Sequence, residues 1–109
     1  MWLIPVGTKG WVVVEFGNTD CPPLERSDGA PVYRVPRSRM LCTSDKLPEG
    51  YARDRFSYVL SDGFQVPLLE DQARQVRVMN DGQRVRLLLF IGTADEQEAA
   101  LGSVPEGFR

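Results

Sequence analysis

The sequence predicts an all-β fold: a small antiparallel β-sandwich of about seven short strands with one short C-terminal helix. Three observations predict it. Two glycine turns, Ser61-Asp62-Gly63 and Asn80-Asp81-Gly82, each separate runs of alternating apolar residues, which marks two β-hairpins. Two segments, 10–17 and 87–91, are apolar on both faces, the pattern of strands at the centre of a covered sheet. Proline and glycine cut the rest into short pieces, and one stretch, after Thr93, carries helix-start chemistry. At 109 residues the chain makes one domain, residues 1–109, long enough to bury one core.

In chain order, the first strand reads Gly10-Trp11-Val12-Val13-Val14-Glu15-Phe16, with Trp11, Val13 and Glu15 on one face and Val12, Val14 and Phe16 on the other. Only Glu15 interrupts the apolar character. Pro22 and Pro23 end this region because neither can donate to a ladder. Residues 24–30 read as polar and irregular. Val32-Tyr33-Arg34-Val35 is a short strand stopped by Pro36, and Met40-Leu41-Cys42-Thr43 is another, followed by a loop through Leu47-Pro48-Glu49-Gly50-Tyr51.

For the first hairpin, a three-residue Ser61-Asp62-Gly63 loop places Phe56, Tyr58 and Leu60 opposite Leu68, Val66 and Phe64, gathering the large apolar side chains on one face. It requires a left-handed residue in a G1 bulge, which Gly63 supplies. For the second, a two-residue Asp81-Gly82 loop pairs Val78 with Val85 and Val76 with Leu87, leaving Arg77 opposite Arg86 in solvent. The segment Leu87-Leu88-Leu89-Phe90-Ile91 then needs cover on both faces, from a second sheet, the terminal helix or a partner subunit. Thr93-Ala94-Asp95-Glu96 fits a capping box, starting a helix expected to run to about Leu101 and stop at Gly102.

Composition removes whole classes of chemistry. Histidine is absent, which excludes Ser-His-Asp and Cys-His catalysis and nearly all catalytic zinc sites. A net charge of −2 gives no field to gather phosphate backbone, so nucleic acid is not an expected partner. No apolar run approaches the roughly 20 residues that span a bilayer. The opening Met1-Trp2-Leu3-Ile4-Pro5-Val6 lacks the basic and long apolar regions of a signal peptide, so the chain is either cytoplasmic or stripped of its leader. Cys21 and Cys42 bracket a segment of about 22 residues; they form one disulfide in an oxidising compartment and two thiols in the cytosol.

Four groups of residues are candidates for chemistry, each beside a plainer reading. Ser44 and Lys46, near Cys42, Thr43 and Asp45, offer a nucleophile and a base, although a loop lysine beside an aspartate lacks the desolvation that activates such a base. Tyr33, Arg34, Arg37 and Arg39, with Arg53 and Arg55 nearby in sequence, could bind an anion or partner, or form a salt-bridged face with Glu25, Asp28 and Asp54. The carboxylates Asp20, Glu25 and Asp28, or Glu70 and Asp71, lack the spacing of a calcium loop, so no metal is expected. No phosphate-cradling glycine loop is present and no cofactor is expected. Trp2 and Trp11 flank a Gly-Thr-Lys-Gly turn, where an exposed tryptophan would anchor a partner and a buried one would cap its own sheet.

The order Ile4-Pro5-Val6-Gly7-Thr8-Lys9-Gly10-Trp11-Val12, then Tyr33-Arg34-Val35-Pro36, Leu41-Cys42-Thr43-Ser44, Tyr58-Val59-Leu60-Ser61-Asp62-Gly63 and Phe90-Ile91-Gly92-Thr93 resembles a family of small bacterial proteins of unknown function, often carrying a signal or lipoprotein leader. The departure is at the corner, where Arg37-Ser38-Arg39 stand in place of an expected glycine. The layout also resembles a prealbumin-type sandwich, a likeness of architecture alone. The resemblance implies an extracytoplasmic location, periplasm or cell envelope, and no established activity. The expected role is a non-catalytic binding or structural module of the bacterial envelope, with an envelope component or protein as partner. A homodimer burying Leu88 and Phe90 is one way to cover the central strand. The alternatives are an inhibitor or immunity-type interaction protein and a small carboxylate- or thiol-dependent enzyme.

Overall fold

A computed structural model describes residues 1–47, 55–80, 82, 84–105 and 108. Among them lie nine strands: β1 (Trp2–Pro5), β2 (Gly10–Phe16), β3 (Glu25–Ser27), β4 (Ala30–Arg34), β5 (Met40–Cys42), β6 (Phe56–Val59), β7 (Gln65–Pro67), β8 (Ala73–Asn80) and β9 (Val85–Ile91). One α-helix, α1 (Ala94–Ala99), follows, with 3₁₀ turns at Glu70–Gln72 and Leu101–Ser103. The strands form a five-stranded sheet in the order β3-β4-β1-β6-β7 and a four-stranded sheet in the order β5-β2-β9-β8.

The two-layer β architecture agrees with the sequence, but both sheets are mixed. β1 runs parallel to β4 and to β6, and β2 runs parallel to β5. The chain passes from β1 to β2 in the other sheet, returns for β3 and β4, crosses again to β5 and comes back for β6. A strand that re-enters a sheet after such a passage can lie beside an earlier one in the same direction, as hairpin connections cannot.

The main core lies between the sheets. Trp2, Ile4, Tyr33 and Val35 come from the five-stranded side; Val12, Val14, Phe16, Ala73, Leu87, Leu89 and Ile91 come from the four-stranded side. The Trp2 ring stacks on Tyr33 with centroids 4.0 Å apart and lies 5.5 Å from Phe56. Trp2 is therefore a core residue rather than an exposed anchor, since β1 is the middle strand of its sheet.

A smaller cluster on the outer face of the four-stranded sheet contains Trp11, Leu88, Phe90 and Phe108, with Val13, Ala100 and Val104 packed against it. The apolar strand β9 is thus covered by the opposite sheet on one face and by the chain's own C-terminal segment on the other. Leu88 and Phe90, which a homodimer offered one way to cover, are already inaccessible within one chain.

The first hairpin has the expected register: Tyr58 opposes Val66, Ser57 opposes Pro67, and Gly63, at φ +90°, closes the three-residue loop with its N–H on the Leu60 carbonyl at 2.9 Å. The expected burial is only half met, because Phe64 is 72% exposed and Val66 is exposed at the sheet edge. The second hairpin differs from expectation. Asn80 opposes Val85 and Val78 opposes Leu87, so four residues, 81–84, connect the strands instead of two. Asp81 itself lies outside the described residues. A bulge between Gln75 and Arg77 places Arg77 opposite Leu88, and Met79 opposite Arg86. The bulge lets Ala73 and Val78, which have opposite parity in sequence, both face the inner side. It also separates the two arginines: Arg86 meets Glu15 of β2, and Arg77 donates to the Phe108 carbonyl at 2.7 Å.

Residues 24–30, read from sequence as irregular, contain the β3–β4 hairpin, with Ser27 opposite Ala30. Its two-residue Asp28-Gly29 loop has positive φ at both positions, the type I′ pattern, and Asp is among the few side chains that tolerate it. Helix α1 begins as expected. Glu96 N–H donates to Thr93 Oγ1 at 3.2 Å and Thr93 N–H donates to Glu96 Oε1 at 2.9 Å. The α-helix ends at Ala99, and a 3₁₀ turn carries the chain onward to its contacts on β2 and β9.

Candidate functional site

A groove of about 670 Å³ runs along the outer face of the four-stranded sheet. Its floor follows from strand alternation: Trp11, Val13 and Glu15 project outward from β2, because Val12, Val14 and Phe16 occupy the core. The parallel pairing of β5 sets Met40 beside Val13 and Cys42 beside Glu15. The far wall is the C-terminal segment, with Ala100, Ser103, Pro105 and Phe108. Trp11 joins floor to wall: its ring meets Phe90 edge-on at 4.9 Å and its Nε1–H donates to the Ala100 carbonyl at 3.0 Å.

Charge is confined to the two ends of the groove. Glu15 accepts from Asn18 Nδ2 at 3.0 Å, Arg84 Nη1 at 3.4 Å and Arg86 Nε at 3.5 Å. The Asn18 hydrogen bond, helped by the two arginines and opposed by partial burial, holds its carboxyl below the usual glutamate range. At the other end Lys9 Nζ lies 2.8 Å from Glu96 Oε2, tying the β1–β2 turn to the first turn of α1. The Lys9 bond and the Thr93 backbone N–H lower the Glu96 pKa to about 2, and the same bond raises that of Lys9.

Arg39 stands over this end from the β4–β5 corner. Its N–H donates to the Pro36 carbonyl at 2.9 Å, its carbonyl accepts from Val13 N–H at 3.0 Å to start the β2–β5 pairing, and its φ is +63°. The residue that replaces the glycine expected here therefore does occupy a left-handed position, at a cost of roughly 1–2 kcal/mol. Its Nη1 donates to the Lys9 carbonyl at 2.9 Å. Gly10 makes room for it, since a Cβ there would sit 3.0 Å from Nη1.

The residues singled out from sequence are dispersed. Tyr33 is buried between the sheets and Arg34 faces outward on the same strand, where it pairs with Glu25 at 3.3 Å. Arg37 is exposed in the corner turn and Arg39 alone of the four borders the groove. Arg53, Asp54 and the 48–51 loop lie outside the described residues. Cys21 and Cys42 form a disulfide with Cα atoms 5.8 Å apart, fastening the edge strand β5 to the loop after β2. Lys46 is exposed, and Asp45 accepts from Arg26 at 2.9 Å rather than from Lys46. Asp20, Glu25, Asp28 and Asp71 are all exposed, and among the described residues no three potential metal ligands gather.

The groove residues Lys9, Met40, Arg86 and Phe108 were not singled out from sequence. For Phe108 the available signal was an apolar aromatic beyond the helix, paired with a strand too apolar to be half-exposed. For Arg86 it was the lone acid of β2, which a central strand must neutralise.

A family of unknown function, DUF6843, matches the chain over residues 1–85. β9 from Arg86 onward, α1 and the C-terminal wall of the groove lie beyond the matched segment. No curated protein matches the sequence. Among solved structures, the crystal structure of a candidate lipoprotein from Bacillus anthracis aligns with a TM-score of 0.75 over 99% of this chain and 81% of that one. The two sequences are 16% identical, so the likeness is one of fold.

Proposed function

Because this chain belongs to the DUF6843 family of unknown function, we propose its role from its own surface: a non-catalytic binding module of the bacterial cell envelope that takes its ligand in the outer groove. The observation that carries this is the groove's composition. Trp11, Val13, Met40 and Phe108 supply an apolar floor and wall, and the charged groups sit at the ends, the usual division of labour in small-ligand sites. The Cys21–Cys42 bond supports the envelope, since structural disulfides persist in oxidising compartments. The fold shared with a candidate lipoprotein points the same way.

The groove is tested with the neutral dye N-phenyl-1-naphthylamine. Saturable dye binding is expected for the native protein, a loss of at least tenfold in affinity for Val13→Glu, and little change for Val66→Glu at the distant sheet edge. Undiminished binding to Val13→Glu would remove the groove as the binding surface. For location, alkylation of thiols in intact cells before reduction should leave Cys21 and Cys42 unlabelled, and a labelled cytosolic pool would contradict export.

A further inference from the structure

Resting on that reading of the groove, we propose that its ligand is a monocarboxylate with a linear apolar tail, and that Arg39 binds the carboxylate. The charges around the groove lead to this. Lys9 is committed to Glu96, and both Arg84 and Arg86 to Glu15. The Arg39 side chain meets no carboxylate among the described residues; its one hydrogen bond there runs from Nη1 to the Lys9 carbonyl. That leaves the Nε–Nη2 edge of the guanidinium, two parallel N–H donors whose spacing matches the two oxygens of a carboxylate. A phosphate monoester, carrying nearly two negative charges, would call for a second cation beside Arg39, and the one at that end of the groove, Lys9, is neutralised by Glu96.

The Lys9 carbonyl holds this guanidinium, and two local features accompany it. Arg39 adopts a left-handed backbone, at φ +63°, that glycine would take without strain. Position 10 is glycine, at φ +108°, and a Cβ there would come within 3.0 Å of Nη1. Strain retained at a solvent-facing site, beside a groove, is the pattern of a positioned group. From this anchor the floor continues over Trp11 and Val13, flanked by Met40, 68% exposed, and by Phe108. A tail lying there would cover the apolar surface of Val13 and Met40 that now faces water, and a groove of about 670 Å³ is of small-ligand size.

The test compares octanoate with 1-octanol, which share a tail and differ in charge, on ¹⁵N-labelled protein at neutral pH. The readouts are the Trp11 indole and the Val13 and Met40 amides, with the core indole of Trp2 as internal control. Saturable shifts with octanoate are expected, and affinity for octanol at least tenfold weaker. Arg39→Gly relieves the backbone strain and keeps the corner turn, which a thermal melt verifies; it should bind both compounds equally, at the level of octanol. Equal affinity of the native protein for the two compounds, or an undiminished preference in Arg39→Gly, would overturn the assignment to Arg39 while leaving the groove standing. Shifts with neither compound would overturn the groove and the assignment together.

Discussion

Removing the Cys21–Cys42 bond, by replacing both residues with serine, should lower the melting temperature by about 13 °C. The two positions are 21 residues apart, and closing a loop of that length removes about 11 cal/mol/K from the unfolded chain, or about 3 kcal/mol at 25 °C. The native side of the balance changes little, because other bonds already hold this corner. Asn18 N–H donates to the Thr43 carbonyl at 3.1 Å and Ser44 N–H to the Pro22 carbonyl at 3.2 Å. For a domain of 109 residues, an unfolding entropy of roughly 2.1 cal/mol/K per residue totals about 230 cal/mol/K, which converts 3 kcal/mol to about 13 °C. Scanning calorimetry of the oxidised protein and the double variant measures this directly. A drop under about 3 °C would refute the reasoning, because it would mean that the bond restrains nothing that the unfolded chain explores.

Thr93→Ala removes the N-cap acceptor of α1 and should cost about 1 kcal/mol, read as a fall of about 4 °C in the same instrument. Phe108→Ala empties the cover over Trp11, Leu88 and Phe90 and should cost about 3 kcal/mol in urea unfolding, with the Trp11 emission moving to the red. Acid stability should depend on Glu15, whose folded pKa lies below its unfolded value. Its contribution is complete above about pH 4.5 and is lost as pH falls through the lower folded value, so Glu15→Gln should flatten the decline of stability below pH 4.5.

Much of the fold is legible in the sequence where local chemistry decides it. The two faces of β2, the Gly63 loop and the Thr93–Glu96 box each follow from a few adjacent residues, and each is found as read. The β3–β4 hairpin was also legible, through Asp28-Gly29, but its strands of three and five residues carry too little alternation to announce themselves. The second hairpin departs from its sequence pattern because valines 76 and 78 suggest one continuous inner face. The bulge takes Val76 out of that face, and Val78, although on the inner side, stays half-exposed on an edge strand. Parallel pairing left no local trace at all, since it depends on the order in which the chain alternates between sheets.

The groove was legible only in its parts. Sequence established that β9 needed two covers, and that a glycine-like corner carried an arginine. It could not place Phe108 on the outer sheet or bring Arg39 across to the Lys9 carbonyl, because Phe108 meets Arg77 from 31 residues away and Arg39 reaches a carbonyl 30 residues before it. The charged cluster that sequence did assemble, Tyr33 with Arg34, Arg37 and Arg39, ignores the strand alternation that turns Tyr33 inward and Arg34 outward.

The central claim is that the outer groove, closed by the chain's own C-terminal segment, is a ligand site headed by Arg39. A crystal structure of the protein grown with octanoate tests it most directly. The carboxylate should lie within about 3 Å of Arg39 Nε and Nη2, with the tail along Trp11 and Val13. Octanoate bound instead along the exposed Phe64 and Val66 edge, with the groove empty, would contradict it.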